Sequence, residues 1–158
     1  MSTSHLRRFL VVLSLLTIMA VPSQAALAYS ACSDSALKMG SNWLVPLWKG
    51  DCAQFASSLR PSSEKLGDGS RGERFEVPLV DATCLKATIN STSLTPDVYV
   101  YDDENFTHEV GTWQRRGNQA SSVVQLRSAD AVPVLYVLAT SYGPGAQFGD
   151  YTLDLRTC

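Results

Sequence analysis

The stretch "PDVYVYDDEN" sets four carboxylates, Asp97, Asp102, Asp103 and Glu104, within eight positions. A hard cation such as calcium takes about six to eight oxygens, and clustered carboxylates beside turn carbonyls are one way to supply them. The same residues suit a plain hairpin turn, where Asp and Asn bond to their own backbone. EF-hand spacing is absent. Calcium is therefore a candidate cofactor, with these four as its candidate ligands, against a default of no cofactor. Nothing marks one carboxyl as the buried acid a glycosidase pair needs.

Other chemistry finds less support. No serine lies in a Gly-x-Ser-x-Gly context, and beyond the N-terminal segment His108 is the single histidine. Nucleophile, base and orienting acid form a constellation that one isolated histidine does not announce. The expectation is a protein that is not an enzyme, with no catalytic residues assigned.

Aromatic residues offer a binding chemistry instead. Strand parity assigns Trp43 and Tyr151 to a core, the common fate of such rings. Trp48, Trp113, Tyr142 and Phe148 fall in turn-rich text and form the candidate ligand-binding platform, for a protein or a polysaccharide.

The compartment follows from the N-terminus. "MSTSHLRRFLVVLSLLTIMAVPSQA" carries Arg7 and Arg8, an apolar run from Phe9 to Ala20, and small residues Ser23 and Ala25. That is the layout of a secretory signal peptide over residues 1–25, too short in its apolar run for a membrane span. A secreted or periplasmic destination is expected, with no stable membrane insertion. Two of the 13 basic residues go with this leader, against 15 acidic residues that remain. The mature chain is mildly acidic and has no basic cluster larger than Arg115-Arg116, so nucleic acid is an unsuitable partner.

Cys32, Cys52, Cys84 and Cys158 all follow the leader. An even number in an exported chain argues for two disulfides, and the wide, irregular spacings do not suit zinc.

The elements that must position these residues are strands. "WLVPL", "RFEVPLV", "CLKATIN", "DVYVYD", "SVVQLRS", "VLYVLAT" and "DYTLDL" alternate apolar and polar residues between turn-formers. Period two over five to eight residues is the half-buried strand signal, and seven or eight such strands make a sandwich or barrel. Residues 53–72 read as a long surface loop with a helical turn near Phe55 to Leu59. Residues 111–121 read as a second loop whose Trp113 folds back on the sandwich. Residues 32–158 form one domain. In "CLKATIN" Cys84 shares the outward face with Lys86; in the last strand Cys158 points outward too. The expected pairing is then Cys84–Cys158, leaving Cys32–Cys52 to close an N-terminal loop. Each bridge contributes about 2–4 kcal/mol.

The strand text resembles the bacterial pre-peptidase C-terminal (PPC) domain. The opening "LKMGSNWLVPLWKGDC" has that family's Gly-Asp-Cys ending at Gly50-Asp51-Cys52. "TPDVYVYDDEN" is similar to its Asp-led central strand, here Asp97. "VLYVLATSYGPGAQFGDYTLDL" is similar to its closing hairpin, Thr-Ser-Tyr, a Gly-rich turn, then Gly-x-Tyr-x-Leu-x-Leu. The resemblance spans roughly residues 32–156. It departs where Asp81-Ala82-Thr83 replaces a usual glycine and where Pro133 stands near the penultimate strand. It implies an all-β, antiparallel, jelly-roll-like β-sandwich without activity of its own, in a module that usually trails a secreted peptidase; this chain is expected to be a free-standing copy. "NST" at Asn90 and "NFT" at Asn105 match the glycosylation acceptor pattern, which has no meaning in the bacterium the resemblance implies.

Two functions are carried forward. One is a non-catalytic binding module that recognises a protein or polysaccharide through its loops. The alternative is a structural or chaperone-like accessory of an exported partner, without a small-ligand site.

Overall fold

Residues 32, 37–39, 42–126, 133–143 and 147–158 are described by a computed structural model. The leader reading, residues 1–25, lies outside them. Among the described residues twelve strands follow in order: β1 (Leu37–Met39), β2 (Asn42–Leu44), β3 (Leu47–Trp48), β4 (Cys52–Leu59), β5 (Glu64–Lys65) and β6 (Arg71–Val80); then β7 (Cys84–Asn90), β8 (Pro96–Tyr101), β9 (Thr112–Arg116), β10 (Gln119–Gln125), β11 (Val134–Ser141) and β12 (Gly149–Thr157). No helix occurs among the described residues, so none there is long and apolar enough to cross a membrane.

Two sheets pack as a sandwich. One is ordered β4-β12-β7-β10-β9 and is antiparallel throughout. The other runs β1-β2-β6-β11-β8, with β3 and β5 also pairing with β6. Their inner faces supply the core. Phe75, Val77 and Leu79 of β6 meet Leu85, Ala87 and Ile89 of β7, with Val98, Val100, Leu135, Val137, Leu153 and Leu155, all buried. These are the inward positions that alternation assigns, because successive side chains on a strand point to opposite faces.

Three expectations are corrected. Residues 53–72 are not mainly loop. β4 runs along the edge of the five-stranded sheet, paired with β12 from Arg156↔Cys52 to Gly149↔Leu59. Its inward set is Ala53, Phe55, Ser57 and Leu59, and the small and polar members hide the alternation. Residues 111–121 are a hairpin, β9 and β10, which turns at Gly117 with φ 56. The sheets are also not purely antiparallel. β2 and β3 run parallel to β6, which is open to a segment that crosses to the opposite sheet as β4 after Gly50 (φ 85).

β12 lies between β4 and β7, and Thr157 pairs with Leu85. That adjacency brings the last residue to Cys84, and the Cys84–Cys158 bridge spans a Cα–Cα distance of 5.2 Å. Cys32–Cys52 spans 4.7 Å. Both lie in the range that disulfide geometry requires. Cys84 is buried despite its outward parity, since its bridge and the chain end sit over it.

Candidate functional site

The four acidic residues are not brought together. Asp97 stands near the start of β8, while Asp102, Asp103 and Glu104 follow its far end. Five residues of extended chain separate Asp97 from Asp102, roughly 17 Å. Among the described residues no three of His, Cys, Asp and Glu converge as metal ligands.

The turn after β8 organises itself around Asp103. Its carboxylate accepts from the backbone N–H of Asn105 (3.2 Å), Thr107 (3.0 Å) and His108 (2.7 Å), and from the Thr107 hydroxyl (2.9 Å). These donors, the His108 amide foremost, hold its pKa below the ordinary carboxylate value. Asp102 meets His108 Nδ1 at 2.8 Å in an exposed pair. Glu104 is exposed at the tip. Phe106, at φ 57, turns its ring against Tyr101 and Tyr136.

Asp97 behaves differently. It lies on the outward side of β8, yet it is 1% exposed. Trp113 and Arg115, two apart on β9 and so on one face, reach across the open side of the sandwich to cover it. Trp113 Nε1 donates to Asp97 Oδ1 at 2.5 Å, Tyr99 Oη to Oδ2 at 2.7 Å, and Arg115 Nη2 to Oδ2 at 3.0 Å. Burial, reinforced by the bond to Asp97 and its charge, pushes the Tyr99 phenol well above its usual pKa. Tyr99 therefore acts as a fixed donor.

The guanidinium of Arg115 is held by aromatic rings as well. Its Cζ lies 3.6 Å from the Tyr142 ring centroid and 4.9 Å from that of Trp113. Such contacts contribute about 0.5–1 kcal/mol each when exposed and more when desolvated. Tyr142 is positioned from below: its N–H donates to Thr95 O at 2.8 Å, and its carbonyl accepts from Gln147 Nε2 at 3.0 Å. Gln147 Oε1 in turn accepts from Thr95 N at 2.8 Å. The product is a Trp113–Arg115–Tyr142 stack pinned by a buried carboxylate, with Tyr142 54% and Trp113 37% exposed. Beside it lies a depression of about 490 Å³ lined by Asp97, Tyr99, Tyr101, Leu138 and Tyr142.

All four platform aromatics read from the sequence are exposed, but they do not form one surface. Trp113 lies within a strand, not a loop, and its indole N–H meets Asp97, a contact the sequence reading did not include. Phe148 sits one residue from Gln147 and precedes β12. Trp48 lies at the other end of β12, where its carbonyl accepts from Thr157 Oγ1 at 2.9 Å. Nine strand residues, roughly 30 Å, separate the two ends. Arg115 was missed as a site residue because "TWQRR" was read as loop, and only strand parity places Trp113 and Arg115 side by side.

Among solved structures the chain is similar to the pre-peptidase C-terminal domain of collagenase from Bacillus anthracis. The match has a TM-score of 0.45 at 14% identity and covers 73% of this chain and 94% of that one. The likeness is one of fold. No family model matches the sequence, and no curated protein matches it.

Proposed function

We propose that the chain is a non-catalytic, exported binding module that recognises a protein or polysaccharide through the Trp113–Arg115–Tyr142 surface. The observation that carries this reading is the stack itself. Trp, Tyr and Arg are the residues enriched in interface hot spots, and they act best when rigid before the partner arrives. Here Asp97 and Gln147 hold them in place, which favours a protein as the partner. Two disulfides in a chain of this size support an oxidising compartment.

The test uses the oxidised chain, immobilised and exposed to the proteins and polysaccharides of its own cell envelope and culture medium. A ligand so found is titrated against the Trp113→Ala/Tyr142→Ala variant, with melting curves to establish that the variant is folded. Loss of two hot-spot rings is expected to weaken binding about 30-fold or more, while Trp48→Ala changes it little. A ligand whose affinity is the same for the double variant would overturn the reading and favour the accessory alternative.

A further inference from the structure

A second surface, separate from the stack, lies on the outer face of the five-stranded sheet. The register sets Ala56, Thr152, Asn90, Gln119 and Arg116 directly opposite one another, one residue from each of β4, β12, β7, β10 and β9. This row crosses the whole sheet, roughly 19 Å at ~4.8 Å per strand. The next outward row reads Gln54, Asp154, Thr88, Ser121 and Gln114. Asn90 and Gln119 are coupled, Gln119 Nε2 donating to Asn90 Oδ1 at 2.7 Å. That bond holds the two amides side by side, with further donors and acceptors turned to solvent.

The face is recessed as well as polar. The first row floors a groove of about 950 Å³ that is also lined by Ser58, Arg60, Asp150, Thr92 and Asn118, which the register places beyond the row toward one end of the strands. It continues into a depression of about 200 Å³ bordered by Lys86, Gln114 and Arg116. A volume of that size suits a ligand of several rings rather than an ion. Among the described residues the one ring lining the groove belongs to Tyr151, whose side chain is buried and bonds to Glu73 at 2.5 Å. Nothing is offered for bases or other flat ligands to stack on.

Charge narrows the class. The chain as a whole carries a net charge of −2, yet this groove and its extension gather Arg60, Arg116 and Lys86 against Asp150 alone. Among the described residues none of these three cations has an ion-pair partner. The side chain of Arg60 donates to the Ser58 hydroxyl, at 2.9 Å. An outer face that needed only water would be served by paired charges of both signs. Beside the Arg156–Asp154 pair on the neighbouring rows, this one presents Arg60, Arg116 and Lys86 as cations without an ion-pair partner among the described residues.

We infer that this face binds an acidic polysaccharide laid across the strands. Its hydroxyls would exchange hydrogen bonds with Thr152, Asn90 and Gln119, whose spacing is close to the length of one pyranose ring. Its carboxylates or sulfates would meet Arg116 and Lys86, with Arg60 at the far edge.

The experiment measures binding of the full oxidised mature chain to polygalacturonate, dextran sulfate, neutral dextran and poly-L-glutamate at low and moderate salt. Polygalacturonate or dextran sulfate is expected to bind, and the two separate a carboxylate from a sulfate preference. Lys86→Ala/Arg116→Ala should weaken that binding about tenfold or more, and Asn90→Ala/Gln119→Ala should weaken it severalfold without changing its salt dependence. The substituted residues lie on the sheet surface, and melting curves establish that each variant is folded. Three outcomes would overturn the inference: no binding of either acidic polysaccharide, binding that both variants retain, or poly-L-glutamate binding as tightly as the polysaccharides. The last would mark a plain cationic patch that an acidic protein could use.

Discussion

Replacing Asp97 by alanine tests whether one buried carboxylate holds the stack together. The side chain of Asp97 is 1% exposed and that of Arg115 18%. Removing one partner of a buried, hydrogen-bonded ion pair costs ~3–5 kcal/mol, because the other charge is left uncompensated. Arg115 retains some access to water and two rings to lie against, which places the loss near ~3 kcal/mol. For a domain of this length each kcal/mol shifts Tm by about 3–5 °C, so a drop of ~10–15 °C is expected. That is a large share of a net stability of ~5–15 kcal/mol. The assay is thermal unfolding at pH 7 with both disulfides intact. Arg115→Met should also destabilise, since Asp97 keeps Tyr99 and Trp113 as donors but loses its countercharge. The double variant Asp97→Ala/Arg115→Met should cost clearly less than the two losses together, because neither charge is then stranded. A drop below ~3 °C for Asp97→Ala, or strict additivity in the double variant, would refute the reasoning.

Four further outcomes are expected. Removing Cys84–Cys158, which closes a separation of 74 residues, should cost about 4 kcal/mol, and removing Cys32–Cys52, which closes 20, about 3 kcal/mol, as read from urea midpoints. Equal midpoints would show that chain entropy does not rank them. Gly111→Ala would drive a methyl group into the buried Ser122 hydroxyl and against Val100, costing ~1–3 kcal/mol; Ser122→Ala in the same chain should recover part of that loss. Burial, then the Glu73 charge and hydrogen bond, raise the pKa of Tyr151 above its ordinary value of 10.0. The folded chain then keeps a proton the unfolded chain gives up, so stability should fall as pH rises beyond 10, and Tyr151→Phe should flatten that fall. Melting curves with calcium and with a chelator should coincide, since Asp97 and Asp103 already spend their oxygens on protein donors; a rise with calcium that Asp102→Asn/Asp103→Asn abolishes would show the turn rebuilding around an ion.

Local text carried most of the β-sandwich. "RFEVPLV" and "CLKATIN" place apolar residues at every second position, and a period of two restricts a chain of half-buried strands to a sandwich or a barrel. The parity of Cys84 and of the last strand led to the pairing that the fold makes, because a disulfide needs only that two strand ends meet. Where alternation is carried by small or polar residues it cannot be read: "CAQFASSL" looks like loop, yet β4 gains its place from backbone bonds to β12. "GTWQRRGNQAS" looked like loop for the same reason, with arginines standing at strand positions.

The site was legible only in pieces. Tyr142 and Phe148 are exposed in turn-rich surroundings, Trp48 and Trp113 are exposed although they stand in strands, and Asp97 was marked by its place before "VYVY". That Asp97 binds Trp113 and Arg115 rather than the acids of "DDEN" was settled by tertiary structure. Strand β8 carries those acids ~17 Å away, while β9, from the opposite sheet, crosses the open side of the sandwich to meet it. The row of Thr152, Asn90, Gln119 and Arg116 is likewise invisible along the chain. Its members are up to 62 residues apart from one another, and only interstrand register, a property of paired backbones, aligns them. By itself the sequence determined which face is wet on the strands whose apolar residues alternate, because side chains on a strand point to opposite faces in turn. Which wet residues stand together was decided by the order in which the strands are laid.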